Sequence, residues 1–387
     1  MRIVIFAESF LPHINGVTNS VLQILKYFRS QEPQVEALII APGTAKAPST
    51  PATPDTPATP STVYGFPVVT VPSTYLPRIS SLPVGIPHPK IWRELKSFRP
   101  DIVHLASPFL LGFQGVLCAN LLKIPAVAVF QTDIAGFSRN YRLGWLEKAA
   151  WKWISKLHNR ASVTLAPSSA AATALQAHGI ENIARWGRGV DTEIFHPSRR
   201  EPKLRKQWDP SGNRLLVGYV GRLAPEKHVE RLAELDKDPT VQVVIVGDGV
   251  SRRQLETILP NAIFTGVRKG TELAAAYASM DIFIHPGEFE TFCQTIQESQ
   301  ASGTPAIAPR AGGPMDLITD NQTGKLLPLD GFAAALPETV HKLREGKILV
   351  EMRIKSRQAV LGRTWNHVVA ELMRHYQQVL AKYPNTP

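Results

Sequence analysis

Apolar positions along this chain come in short, dense runs separated by polar turns. The first, "RIVIFA" at residues 2–7, leads through a loop holding Pro12, Asn15 and Gly16 into "VTNSVLQILKYFRS", whose apolar residues recur at helical spacing. Strand, turn, helix is the implied unit. Further strands are expected at "VEALIIA", "VVTV", "DIVHLA", "AVAVF" and "SVTLAP", with helical segments between several of them. That alternation predicts a parallel sheet with helices on both faces.

The pattern breaks twice. Residues 44–62, "TAKAPSTPATPDTPATPST", have no apolar period, cannot build a core, and are expected to form a mobile surface insertion. Residues 196–212, within a Pro- and charge-rich stretch, read as a linker. Beyond it a second cycle begins: "RLLVGYVG", "VQVVIVGDG", "AIFTG", "MDIFIHP" and "TPAIAP" read as buried strands, each followed by a turn and a helical pattern. The fold class predicted is α/β, with Rossmann-like domains at 1–195 and 213–387. The amphipathic last segment, "NHVVAELMRHYQQVLAKY", is counted with the second domain but is able to pack on either. Two such domains in tandem predict a cleft facing the carboxyl ends of both sheets.

Composition narrows the class. The length of 387 residues allows two domains, and 44% hydrophobic with 19% charged residues excludes disordered and collagen-like chains. Two cysteines, Cys118 and Cys293, cannot make a disulfide framework, and no C-x-x-C spacing points to zinc; a cytoplasmic setting is expected. The first apolar run ends at Glu8 and does not read as a signal peptide. Residues 108–130 are interrupted by Gln114, Asn120 and Lys123 and read as helix then strand, not as a membrane span. Charge is uneven. Residues 1–200 carry 20 Lys and Arg against 11 Asp and Glu, whereas residues 201–387 carry 23 against 21. The basic half suits an anionic partner, nucleic acid or an anionic membrane leaflet, or is simply a solvated basic surface.

Candidate chemistry gathers in the second half. "YVGRLAPEKHVERL" places Arg222 and Lys227 after a strand, where a guanidinium fork and a movable ammonium suit a diphosphate; solvated loop charge is the alternative. In "HPGEFETFCQTIQES", Glu290 is expected at or before a helix start, with the amides of Thr291, Phe292 and Cys293 available to an anionic or hydroxyl-rich ligand. Glu298 follows eight residues later, roughly 80° around a helix from that position. Carboxylates accept paired hydrogen bonds from vicinal hydroxyls, as a hexose or a ribose offers. A helix cap plus an exposed acid is the competing reading.

"GRLAPEK", "VGDG", "FTG", the E-seven-E element and "ASGTPAIAPRAGGPMDLI", in that order, resemble the C-terminal half of retaining family 4 glycosyltransferases of the GT-B fold; "FLPHINGVTNSV", "FRPDIVHLASP" and "GRGVDTEIFHP" extend the resemblance over nearly the whole chain. Its flavour is most similar to actinobacterial GDP-mannose-dependent α-mannosyltransferases, including those that elongate glucuronosyl-diacylglycerol or phosphatidylinositol mannosides. The resemblance implies that Arg222 and Lys227 hold the donor diphosphate, Glu290 contacts the transferred sugar and Glu298 the ribose. It further implies that Thr291, Phe292 and Cys293 lend amides, Gly16 lets the first domain's backbone approach the diphosphate, and Val267 and Arg268 flank the nucleobase. No metal or other cofactor is implied. Partners would be a nucleotide sugar and a lipid-linked glycan, with peripheral contact at the inner, anionic membrane face through the basic first domain, and no nucleic acid.

Departures from the family pattern qualify individual roles. Gln131 stands where many relatives carry histidine and is expected to orient the sugar or acceptor, being unable to shuttle protons near neutrality. Asp133 fits either an acceptor hydroxyl or a turn cap. Arg139 and Arg142 fit an acidic headgroup or plain solvent. Asn15-Gly16 replaces a Gly-Gly, with Asn15 expected to tolerate left-handed backbone. His285 is expected to be structural, and Trp145, Trp151 and Trp153 to serve packing or a membrane face. Rival functions are a UDP-sugar transferase, a nucleotide-sugar epimerase on the same architecture, and a non-enzymatic binder of anionic lipid or nucleic acid.

Overall fold

The computed structural model describes residues 1–31, 35–43, 58–75, 83–106, 108–131, 144–345 and 347–383, with backbone alone at residues 75, 83 and 144–146. Asp133, Arg139 and Arg142, the side chain of Trp145, and residues 44–57 of the Pro/Thr tract lie outside the described residues. The chain divides into two compact units. The first comprises residues 1–167, 171–188 and 365–387, and the second residues 168–170 and 189–364.

The first unit is built on an eight-stranded sheet. Its strands are β1 (Arg2–Ala7), β2 (Glu36–Pro42), β3 (Thr62–Val63), β4 (Phe66–Val71), β7 (Ile102–Ala106), β8 (Ala126–Val129), β9 (Val163–Ala166) and β10 (Ile183–Arg185); β5 (Ser73–Tyr75) and β6 (Pro83–Gly85) form a separate pair. Spatial order is β10-β9-β8-β7-β1-β2-β4-β3, parallel throughout except for β3 against β4. The end of the Pro/Thr tract is therefore a sheet edge: Thr62 pairs with Pro67.

Alternation along β1 explains its unbroken apolar run. Ile3 and Ile5 join one core with Val21, Ile24 and Phe28 of the first helix, Gly16–Arg29, while Val4 and Phe6 join another with Leu105, Leu111 and Val116. The last helix, Trp365–Ala381, counted by sequence with the second domain but able to pack on either, crosses back and belongs to this first core. Its stripe of Val368, Val369, Leu372, Tyr376 and Val379 completes the face that the first helix covers only in part. Two buried hydrogen bonds fix it, Trp186 Nε1 to Val368 O at 2.8 Å and Tyr376 Oη with His104 Nδ1 at 2.7 Å.

In the second unit, β11 (Leu215–Val220), β12 (Val241–Val246), β13 (Ile263–Gly266), β14 (Ile282–Ile284), β15 (Ala306–Pro309) and β16 (Gly324–Leu327) form an all-parallel sheet ordered β13-β12-β11-β14-β15-β16. The predicted linker is folded into this unit. Pro202–Trp208 is a helix whose Leu204 and Trp208 enter the core with Leu216, Tyr277 and Phe283. Arg200 and Arg205 grip the carboxylate of Asp281 at 2.7 and 3.0 Å, so the charges that read as linker are ion-pair partners. Among the described residues no helix is long and apolar enough to cross a membrane.

Candidate active site

Most of the sequence-predicted residues of the second unit fall on loops that leave the carboxyl ends of its strands, where a parallel α/β sheet presents ligands. β14 runs into His285 and the loop 286–293. The helix then begins at Gln294, three residues later than "TFCQ" suggests, because Cys293 adopts a left-handed conformation (φ 78°) as its N-terminal flank and no side chain caps it. Glu290 therefore sits on the loop, not on a helix. Two glycines after β15 press the loop into place. The Gly313 amide donates to Glu290 O at 2.7 Å, and a Cβ on Gly313 would stand 2.4 Å from Phe292 O. Arg231 anchors the other flank through Pro286 O at 2.7 Å and Glu288 Oε2 at 2.6 Å.

The loop delivers the Glu290 carboxylate onto Lys227. Lys227 Nζ donates to Glu290 Oε1 at 2.5 Å, with the two side chains only 21% and 18% exposed, and His285 Nε2 lies 3.3 Å from the same oxygen. Burial alone would raise the Glu290 carboxyl, but the Lys227 ammonium and the His285 imidazole outweigh it and hold the group well below the usual carboxylate range. Burial would lower Lys227, and Glu290 reverses that upward. Burial would likewise lower His285, but the sulfur of Cys293 and the carboxylate of Glu290 push it up to about 9. His285, expected to be structural, is thus part of the site.

Other predicted residues are placed as follows. Arg222 is 63% exposed and pairs with Glu226 at 2.6 Å, so the two expected diphosphate cations are in different states: Lys227 engaged inward, Arg222 at the surface. Glu298 accepts from the buried Tyr277 hydroxyl at 3.2 Å. Thr291 is half-buried, whereas Phe292 and Cys293 are buried. Val267 is exposed and Arg268 half-buried on the loop after β13. Among the described residues, one group of His, Cys and acidic side chains is close enough to hold a metal ion: His285, Glu290 and Cys293.

In the first unit, Gly16 opens the first helix, and Asn15 caps it by accepting from the Val17 and Thr18 amides, each at 3.0 Å. Asn15 has extended backbone, not the left-handed conformation expected of it. A Cβ on Gly16 would meet Arg188 Nη1 at 2.5 Å, so this glycine makes room for a guanidinium. Arg188 Nη2 in turn donates to Gln131 Oε1 at 2.9 Å. Sequence reasoning missed Arg188; its only signal is an arginine inside "GRGVD". It also missed Glu8, whose Oε1 accepts from the Phe109 and Gly112 amides, both at 2.7 Å, at the start of the helix Leu110–Leu121. Trp151 stacks on His178 with centroids 3.7 Å apart, and Trp153 packs on Phe113 at 4.5 Å; both serve packing.

Two α/β units built on largely parallel sheets, the second with a Lys–Glu pair on its strand-end loops, are in keeping with the GT-B class of glycosyltransferases. The fold is similar to that of HepE from Anabaena, solved with UDP and glucose, at a TM-score of 0.73 and 18% identity over 98% of this chain and 100% of that one. At that identity the likeness bears on fold alone. The Glycosyltransferase Family 4 pattern matches residues 14–194, and that of Glycosyl transferases group 1 matches residues 200–359. A GDP-mannose-dependent alpha-mannosyltransferase of Mycolicibacterium smegmatis is 52% identical over 383 residues, which is 99% of this chain and 98% of that protein. A GDP-mannose-dependent alpha-(1-6)-phosphatidylinositol dimannoside mannosyltransferase of Mycobacterium tuberculosis is 39% identical over 150 residues, 36% of this chain and 39% of that protein. The chain belongs to glycosyltransferase family 4.

Proposed function

We propose that this glycosyltransferase moves mannose from GDP-mannose to a lipid-linked glycan of the glucuronosyl-diacylglycerol or phosphatidylinositol-mannoside type, with retention at the anomeric carbon. The observation that carries the reading is the Lys227–Glu290 pair, fixed at the mouth of a parallel sheet in a chain so close to a mannosyltransferase over its whole length. Glu290 is ionised and aimed by a cation, so it can accept hydrogen bonds from the transferred sugar. Lys227, together with Arg222 once it swings off Glu226, neutralises the diphosphate as the sugar departs; cations and main-chain amides then do the work a metal does elsewhere, and no metal is required. Glu298, steadied by Tyr277, takes the ribose, and Val267 and Arg268 take the base. Gln131, held by Arg188, orients the sugar or the acceptor, with Gly16, Asp133 and Arg139 as further first-unit contributors.

Attack and departure on one face fit a site in which Gln131 offers no nucleophilic carboxylate. The basic first half brings the enzyme to an anionic inner leaflet as a peripheral protein. The test is incubation of the purified protein with labelled GDP-mannose and extracted membrane lipids, followed by identification of the labelled product and its anomeric configuration. Label in a glycolipid with α-configuration supports the reading. Transfer from a UDP-sugar alone, or an inverted product, overturns it.

A further inference from the structure

We propose that His285, Glu290 and Cys293 form a three-donor site for a borderline-soft divalent cation of the Zn²⁺ class, and that filling it closes the enzyme by taking Glu290 away from Lys227. The donor set is one nitrogen, one oxygen and one sulfur, which is zinc chemistry and poorly matched to Mg²⁺ or Ca²⁺. All three donor atoms lie within 4.8 Å of one another. Tetrahedral Zn²⁺ with nitrogen and oxygen ligands at about 2.0–2.1 Å separates those two atoms by about 3.3 Å. The His285 Nε2 to Glu290 Oε1 distance is 3.3 Å as it stands.

The surroundings favour a ligand. His285 and Cys293 are 3% and 4% exposed, and among the described residues neither ring nitrogen of His285 has a hydrogen-bond partner of good geometry. The ring's nearest polar neighbours are the other two donors, Glu290 and Cys293, and neither contact amounts to a well-formed hydrogen bond. The three residues also share one rigid piece of chain, the end of β14 and the loop that Gly313 and Arg231 pin down, so the donors do not have to be gathered from a distance. The left-handed backbone at Cys293 turns the chain just before the helix whose residues pack beneath.

Lys227 decides what the cation does. Its ammonium lies 2.5 Å from the oxygen that the metal would bind, and a dication on that oxygen repels the ammonium and competes with it for the lone pairs of an enclosed carboxylate. Metal binding, with loss of the protons from sulfur and imidazole, therefore expels Lys227 from Glu290. The site itself does not depend on which sugar nucleotide is the donor; its effect on turnover rests on the function proposed above, so the test reads the metal directly as well as the activity.

Co²⁺, which stands in for Zn²⁺ and is visible spectroscopically, is titrated into the full-length protein. Expected are the near-ultraviolet thiolate-to-cobalt charge-transfer band and the visible bands of four-coordinate geometry, all removed by stoichiometric Zn²⁺. Cys293→Ser abolishes the charge-transfer band while Cys118→Ser keeps it, and His285→Gln weakens binding roughly tenfold or more. Lys227→Met, which removes the competitor, tightens Co²⁺ binding roughly tenfold, an outcome that general unfolding cannot mimic. In the transfer assay, submillimolar Zn²⁺ suppresses activity and equal Mg²⁺ does not. Absence of a thiolate band in wild type, its survival in Cys293→Ser, or unchanged Co²⁺ affinity in Lys227→Met overturns the proposal. If the protein proves to use another donor, the spectral result stands or falls by itself.

Discussion

Each unit carries an enclosed carboxylate just past a parallel strand, and the two respond oppositely to burial. In the first unit Glu8 follows β1 and meets main-chain amides; burial pushes it up to about 7, and the amides of Gly112 and Phe109 offset only part of the rise. In the second unit Glu290 follows β14 by a few residues and meets an ammonium and an imidazole, which hold it far down. Enclosure is similar, so the partner set determines the sign. Dipoles soften the burial of a carboxylate, but a full positive charge reverses it. The first arrangement braces a loop against a helix start. The second leaves an anion that is permanently charged and precisely aimed at neutral pH, which is what a sugar-contacting residue needs.

The comparison breaks most visibly at Glu290. Glu290→Ala is expected to cut transfer about a hundredfold or more and, by leaving the enclosed Lys227 ammonium unpaired, to lower the thermal unfolding temperature as well, whereas Glu8→Gln leaves steady-state rates within a few-fold. Near-full activity of the Glu290 variant would remove that residue from the chemistry. Lys227→Ala comes next: kcat/KM for the nucleotide sugar should fall by about tenfold to a hundredfold. The acid limb of its pH–rate profile should also move to higher pH, since Glu290 loses its strongest stabilising charge.

Stability against pH sharpens the contrast in sign. Glu8 binds its proton more tightly folded (about 7) than at the ordinary 4.5, so its contribution is greatest below pH 4.5 and declines as pH rises to about 7. The decline is about 2 kcal/mol, less than the full shift implies because the residue keeps intermediate exposure even though its carboxyl is enclosed. Glu8→Gln should flatten that part of a denaturant-unfolding pH series. Glu290 contributes the other way: its stabilisation is present above 4.5 and is lost as pH falls through its depressed folded value. Smallest is Asn15→Ala, expected to cost about 1 kcal/mol in unfolding free energy through loss of two amide bonds at the first helix. Cys293 has no such cap to lose.

Most strands of both sheets could be read from the sequence because they are short, largely buried apolar runs between turn residues; β3, β10 and β16 were not read, and β13, expected buried, is half-buried. The Glu290 loop and its Lys partner were legible for a related reason: charged residues placed right after such runs emerge at the sheet's carboxyl edge. The start of the following helix was not. "TFCQTIQES" has helical composition throughout, and only the tertiary squeeze of Gly312 and Gly313 on the loop backbone displaces the first turn to Gln294. Arg188 was invisible because its partners, Gly16 and Gln131, are far away in sequence and a lone loop arginine has no periodic signature. The linker misled for the opposite reason, as Arg200 and Arg205 look solvated until Asp281 is placed beside them. The last helix had a readable apolar stripe but no local mark of which core it would enter.

That final helix has a further consequence for how the molecule is made. The first unit's core lacks Val368, Leu372 and Tyr376 until the helix that follows the second unit is in place, whereas the second unit, residues 189–364 with a short excursion at 168–170, lies wholly before that helix in the chain. The N-terminal unit therefore departs from N-terminal-first folding, because its core stays incomplete on one face of the sheet until that helix is available. Purified protein truncated just before Trp365 should show a protease-resistant second unit and a cleavable first one.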